Sequence, residues 1–129
     1  THFDSLGKRV WTKTAGGARI DYGLGIATDG AGNCFLTGSF AGEVLFDGTP
    51  RHSQGAAADI QIVKYDRAGQ QIWFLQAGGE RTDHAYTIVT DGRGHLYLSG
   101  ACSGPATFGE HVMSHQGNND IFLAKLKTD

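Results

Sequence analysis

Ile26-Ala-Thr-Asp-Gly-Ala-Gly-Asn-Cys-Phe-Leu-Thr-Gly-Ser-Phe40 is the stretch that decides the fold. Two short apolar runs flank Asp29-Gly-Ala-Gly32, whose glycines supply the positive φ values a tight hairpin needs. The stretch recurs 62 residues on (26 to 88) as Ile88-Val-Thr-Asp-Gly-Arg-Gly-His-Leu-Tyr-Leu-Ser-Gly-Ala-Cys102. Working outward, the same offset carries Trp11 to Trp73, Gly16-Gly17 to Gly78-Gly79, Arg19 to Arg81 and Asp21 to Asp83. It also carries Phe46 to Phe108 and Gln54-Gly55 to Gln116-Gly117. One residue is then dropped, where Ala56-Ala57-Ala58 faces Asn118-Asn119. The match resumes with Asp59-Ile60 against Asp120-Ile121 and Lys64 against Lys125. A period this long marks a repeat architecture.

No segment sustains a helical period. Short β-type runs between Gly, Asp and Asn turns appear instead, so the fold is expected to be all-β. In the first copy the runs are Leu24–Thr28 (A), Asn33–Phe40 (B), Asp59–Tyr65 (C) and Gln71–Gln76 (D). In the second they are Tyr86–Thr90, His95–Ala101 and Asp120–Leu126. Runs such as Asn33-Cys-Phe-Leu-Thr and Ile121-Phe-Leu-Ala are apolar on both faces. Such strands lie between two other layers, as in the stacked blades of a β-propeller. The expected fold is therefore two four-stranded antiparallel units of blade type. A unit of 62 residues exceeds the roughly 40–45 of a WD40 blade. The excess lies at Ala41–Ala58 and Cys102–Asn119, and predicts an extra hairpin or lobe there anchored by Phe46 or Phe108.

The phase of the repeat predicts more than its count. Phe3-Asp-Ser-Leu-Gly7 matches Tyr65-Asp-Arg-Ala-Gly69, and Val10-Trp11 matches Ile72-Trp73. The strand order is therefore D-ABC-D-ABC in one domain, residues 1–129. The repeats run over about 11–72 and 73–129, and residues 1–10 are the tail of a preceding repeat. A first residue other than Met suggests a processed or excised chain. The last blade lacks its outer strand, and the first D strand lacks a blade. Two blades do not close a ring of about 4–8, and an open strand edge templates pairing. The expected partners are further copies of the chain, head to tail, or flanking repeats of a longer array. The expected interface is Val10, Trp11, Thr12 and Lys13 at one end, and Ile121, Phe122, Leu123 and Lys125 at the other. Lys13 in place of Leu75 indicates a wetter setting for the first D strand.

The pattern Trp–x4–Gly-Gly, then Asp, Ile-Ala-Thr-Asp–x2–Gly-Asn, Thr-Gly-Ser-Phe, and Gly–x3–Asp-Ile–x3–Lys-Tyr-Asp–x2–Gly resembles the SBBP repeat. The resemblance covers nearly the whole chain in two copies. The second copy departs at His95, Ala101 and Lys127, none of which disturbs the turns. It implies a β-propeller in a bacterial secreted or cell-surface protein. It implies no defined enzymatic activity and carries over no catalytic residue.

Composition narrows the chemistry. Eleven Lys and Arg against 13 Asp and Glu give a formal charge of −2, which offers no electrostatic footprint for nucleic acid. No apolar stretch approaches the roughly 18 residues of a membrane helix, so membrane insertion is not expected. Cys34 and Cys102 fall in different phases of the repeat and read as free thiols, with a bridge left open. Asp29–x–Ala31–x–Asn33 has calcium-loop spacing. Its counterpart Asp91–x–Arg93–x–His95 replaces oxygen ligands with a cation and an imidazole, so a turn is expected. His2, His52, His84, His95, His111 and His115 match no histidine in the other copy. No metal, cofactor or catalytic residue is predicted. The best polar constellation is Arg19–x–Asp21 with Arg81–x–Asp83, in the D-to-A connection of both copies. It fixes loops, or it lines equivalent pockets for carbohydrate or another polar ligand. Trp11 and Trp73 read as core, with sugar stacking as the alternative. Two functions follow: a non-catalytic extracellular scaffold assembled by strand complementation, and, as the alternative, a glycan- or ligand-binding module.

Overall fold

The computed structural model describes all 129 residues and contains strands but no helix. The chain opens with three short strands, β1 (His2–Phe3), β2 (Arg9–Trp11) and β3 (Ala15–Gly17). The first full blade follows. Its strands are β4 (Tyr22–Thr28) and β5 (Cys34–Ala41), a hairpin of β6 (Glu43–Phe46) and β7 (Thr49–His52), then β8 (Ala58–Tyr65) and β9 (Gln71–Gly78). The second blade holds β10 (Asp83–Thr90) and β11 (His95–Cys102), a hairpin of β12 (Ala106–Phe108) and β13 (His111–Met113), and β14 (Asp120–Lys127). All strand pairings are antiparallel. The D-ABC-D-ABC order is the observed one. Blade 1 is the meander β4-β5-β8-β9, and blade 2 is β10-β11-β14 with no strand beyond β14.

One turn device recurs through the chain. Asp29 Oδ1 accepts hydrogen bonds from the amides of Ala31 (3.0 Å) and Asn33 (2.9 Å). Asp66 does the same for Ala68 and Gln70, Asp91 for Arg93 and His95, and Asp4 for Leu6 and Lys8. The carboxylate stands in for a backbone acceptor, so the turn closes locally. The calcium-loop spacing at Asp29 thus belongs to a hairpin turn. Gly38 and Gly100 recur for a different reason. The A strand of each blade is bulged, between Gly23 and Gly25 and between Ala85 and Thr87. The bulge drives the carbonyl of Tyr22 or His84 onto the facing B strand, where a Cβ on Gly38 or Gly100 would collide with it.

The extra hairpins form where the excess length predicts them, and Phe46 and Phe108 are both buried. Asp47 (φ 49°) and Gly48 (φ 78°) form the tight turn of the first. Neither hairpin stays in its own blade. β12 pairs with the end of β9, Thr107 opposite Gly78 and Phe108 opposite Ala77. β6 pairs in the same way with β3, Leu45 opposite Gly16 and Phe46 opposite Ala15. Each blade therefore clasps the D strand that precedes it, and blade 1 becomes part of a six-stranded sheet. Gly17 and Gly79 are glycine because the clasping segment passes over them. A Cβ there would strike the carbonyl of Glu43 or Pro105.

The main core lies between the blades. Phe35, Ile60 and Ile62 of blade 1 cluster with Leu96, Leu98 and Phe122 of blade 2. A second cluster on the other face of blade 1 joins Phe40, Val44, Phe46, Val63 and Tyr65. β5 and β8 thus carry apolar residues on both faces because both faces are covered.

Candidate functional site

The residues that recur in both copies converge on the junctions between successive blades. Asp21 Oδ2 accepts the amide of Gly17 (2.9 Å) and Oδ1 that of Ala41 (3.2 Å). Asp83 repeats both bonds with Gly79 (2.9 Å) and Ser103 (3.3 Å). Each carboxylate ties the end of a D strand to the end of the next B strand. Arg19 lays its stem on Gly42 and donates to the Ala56 carbonyl (2.7 Å). Arg81 lays its stem on Gly104 and donates to the Ser103 carbonyl (3.4 Å). Neither arginine forms an ion pair with its neighbouring aspartate. The Arg/Asp constellation therefore acts on the backbone around it, and both arginines remain solvent-exposed.

The two tryptophans are equivalent as well. Trp73 donates to the Thr128 carbonyl (3.3 Å), and Trp11 donates to the Arg67 carbonyl (3.1 Å). Trp11 lies over Gly69 and against Tyr65, both in blade 1. The first D strand therefore sits on blade 1 as β9 sits on blade 2. Lys13 reaches Asp47 at 2.9 Å in a half-buried pair, where Leu75 packs against the core.

At the internal junction two aspartates meet. Asp59 is fully buried, and its Oδ2 accepts from the Gln54 amide (2.7 Å) and Gln76 Nε2 (2.5 Å). Its Oδ1 has no hydrogen-bond partner. That atom and Asp83 Oδ2 lie 2.7 and 3.0 Å from where a Cβ on Gly78 (φ 149°) would stand. Burial pushes the Asp59 carboxyl above its usual range, against the bonds from Gln54 and Gln76, and the charge of Asp83 adds to the rise. Burial raises Asp83 too, against hydrogen bonds from Cys102, Gly79 and Ser103. The Cys102 thiol is pushed up to about 12 by burial, then by the charge of Asp83 and its hydrogen bond to it. Burial lowers the pKa of the neighbouring His84, which bonds Ser39 at 2.7 Å, with Asp83 opposing. Both cysteines are free. This cluster escaped the sequence reading because Asp59 and Asp83 fall in different phases of the repeat. The repeated Gly16-Gly17 and Gly78-Gly79 were the signal that something crowds that spot.

The ends of the chain differ from the internal junction. Ile121 is 90% exposed and Leu123 78%, whereas their counterparts Ile60 and Ile62 are 0% exposed against blade 2. Phe122 points the other way, into the core, and Lys125 lies over the Tyr97 ring at 5.4 Å. At the other end Val10 and Thr12 are exposed, and Trp11 and Lys13 half-buried. On that side blade 1 carries a cleft of about 650 Å³, lined in part by Ile26, Cys34, Leu36 and Tyr65.

These features describe an all-β protein of two tandem, blade-like repeats packed face to face around one internal junction. No protein-family model matches the chain. It is similar to an uncharacterized WD repeat-containing protein of Acanthamoeba polyphaga mimivirus, 27% identical over 100 residues. That match covers 73% of this chain and 7% of the viral protein. It is also similar to the regulatory protein FlaEY of Caulobacter vibrioides, 25% identical over 132 aligned positions. Here the match covers 98% of this chain and 14% of the relative. The chain thus spans a small fraction of the length of either relative.

Proposed function

We propose that this chain is a non-catalytic structural module of the SBBP type, from a secreted or surface-exposed bacterial protein. It supplies two blades to a larger scaffold that is built head to tail. One observation carries the reading. The outer edge of β14 pairs with no strand, and the first D strand pairs on its C-strand side only with the short β1. Similarity to a WD repeat-containing protein supports the blade-repeat part, since WD repeats form four-stranded propeller blades. Similarity to a Caulobacter protein agrees with a bacterial setting. The recurrent polar residues support a structural role, because Asp21, Asp83, Arg19 and Arg81 all bind backbone.

Native mass and light scattering over a concentration series test the proposal. The expected particle is a multiple of the 13.7 kDa chain. A cooperatively folded monomer at every concentration would overturn it.

A further inference from the structure

We infer that Asp59 and Asp83 share one proton across the internal junction, so that the seam between blade 1 and blade 2 is held by that proton and loosens as pH rises. Asp59 lies near the start of β8 in blade 1, and Asp83 begins β10 of blade 2. Both carboxylates lie well inside the chain, so the inference is independent of the scaffold reading.

The geometry brings two buried acids to one spot. Asp59 is 0% exposed and Asp83 1%. Asp59 Oδ1 and Asp83 Oδ2 stand 2.7 and 3.0 Å from the same point, the place of an absent Cβ on Gly78. They therefore face one another within the roughly 6 Å over which one charge shifts the ionisation of another. Neither aspartate has a lysine, arginine or histidine as ion-pair partner. Three of the four carboxylate oxygens have amide donors. Gln54 and Gln76 serve Asp59 Oδ2, Gly79 serves Asp83 Oδ2, and Ser103 serves Asp83 Oδ1. Asp59 Oδ1 alone has none. Two facing carboxylates in a dry interior, without a cation, hold a proton between them. A proton on Asp59 Oδ1 removes one charge and turns the orphan acceptor into a donor aimed at Asp83. Burial raises both carboxyls above their usual range, in the same direction.

The surrounding groups leave the pair to itself. On β10, His84 bonds Ser39, and its lowered pKa keeps it uncharged at neutral pH. On β11, the Cys102 thiol bonds Asp83 and, pushed up to about 12, stays protonated. Asp120 of β14, opposite Cys102, adds negative charge and is itself met by His115 at 3.4 Å. Glu80 and Arg81, between the blades, are solvent-exposed, and Arg81 donates to the Ser103 carbonyl. Above the ordinary aspartate value of 3.8 the unfolded chain releases both protons, whereas the folded chain keeps one. The stability due to the pair therefore falls as pH rises, until the shared proton is lost. Beyond that point two uncompensated charges face each other across the blades.

Carbon-13 NMR of the aspartate carboxyl carbons, from pH 3 to pH 9, tests the shared proton. In the wild-type chain the Asp59 carbon is expected to titrate above 3.8, and the Asp83 carbon to show an inflection at the same pH, because coupled acids titrate as a pair. Asp83→Asn removes the facing charge and keeps an acceptor for Gly79. It is expected to lower the Asp59 midpoint by about one pH unit or more. The amides of Gln54 and Gly79, measured against those of β5, are expected to exchange about tenfold faster once the wild-type midpoint is passed. An Asp59 midpoint at or below 3.8 would overturn the inference. So would a midpoint that Asp83→Asn leaves in place, since burial alone would then account for it. If Asp83→Asn does not unfold cooperatively, the wild-type Asp83 carbon decides, and a carbon with no inflection at the Asp59 midpoint refutes the sharing. A wild-type midpoint that moves on adding calcium chloride or EDTA would mean that a cation, and not a proton, balances the pair.

Discussion

Ile60 and Ile121 hold the same repeat position in two environments, one inside a junction and one at an open end. Ile60 is 0% exposed in the core between blades, whereas Ile121 is 90% exposed. Replacing Ile by Ala deletes three carbons. At about 0.8 kcal/mol per buried methylene, the transfer loss at Ile60 is about 2.4 kcal/mol. The cavity left in a packed core raises this to about 3–4 kcal/mol, within the range for Ile→Ala core variants. At Ile121 in an isolated chain nearly nothing is lost, and the expected change is within about 0.5 kcal/mol. Urea unfolding of Ile60→Ala and Ile121→Ala at low protein concentration measures both. Repeated at high concentration, where copies associate, the Ile121 penalty is expected to grow toward the Ile60 value. The reasoning is refuted if Ile121→Ala costs several kcal/mol in the dilute chain. It is refuted equally if Ile60→Ala costs under about 1 kcal/mol, since the inter-blade core would then not hold the blades together.

Further outcomes follow from the same junction. Asp59 has a raised pKa in the fold, so its ionisation costs stability as pH rises above the ordinary aspartate value of 3.8. Asp59→Asn keeps an acceptor for Gln54 and Gln76 and can donate toward Asp83. Its stability relative to wild type is expected to be flat below that pH and to rise above it, by about 1.4 kcal/mol per pK unit of the lost shift. The difference between the two pH–stability curves isolates this effect from His84, whose lowered pKa adds stability as pH rises toward 6.5. A difference curve that is flat or falls with pH contradicts the assignment. Gly38→Ala and Gly100→Ala force a Cβ onto a bulge carbonyl and are each expected to cost about 1–3 kcal/mol in urea unfolding. The Cys102 thiol, buried and pushed up to about 12, is expected to resist alkylation at pH 8 in the folded chain and to react on unfolding. Peptide mapping after iodoacetamide reads this, and rapid labelling of native Cys102 would contradict its place in the core.

Much of this architecture was legible in the residues. Asp29-Gly-Ala-Gly32 and its counterparts determine their own turns through local hydrogen bonds, so a sequence reader sees them directly. Both-face apolar runs such as Asp59–Tyr65 announce a strand between two layers. The extra hairpins were readable from length and from one buried aromatic each. Their pairing onto the preceding D strand was not, because β12 meets β9 only through tertiary contact between blades. The start of β10 at Asp83 rather than Tyr86 was hidden for the same reason. His84 and Ala85 join the strand by pairing with Ala101 and Gly100 across a bulge. At the junction, Asp21 and Asp83 were visible as repeated residues, but their backbone acceptor role needed the positions of Ala41 and Ser103. The meeting of Asp59 with Asp83 shows in the sequence only indirectly, through the crowded Gly78, since the two carboxylates belong to different strands of different blades.

The outer edge of β14 is the place where the whole account can fail. Amide hydrogen exchange of Asp120–Lys127 in the 129-residue chain, at a concentration where particles form, tests it. Paired edge amides are expected to exchange as slowly as those of β8. Exchange of those amides at open-strand rates, in particles whose β8 is fully protected, would mean that no strand completes blade 2.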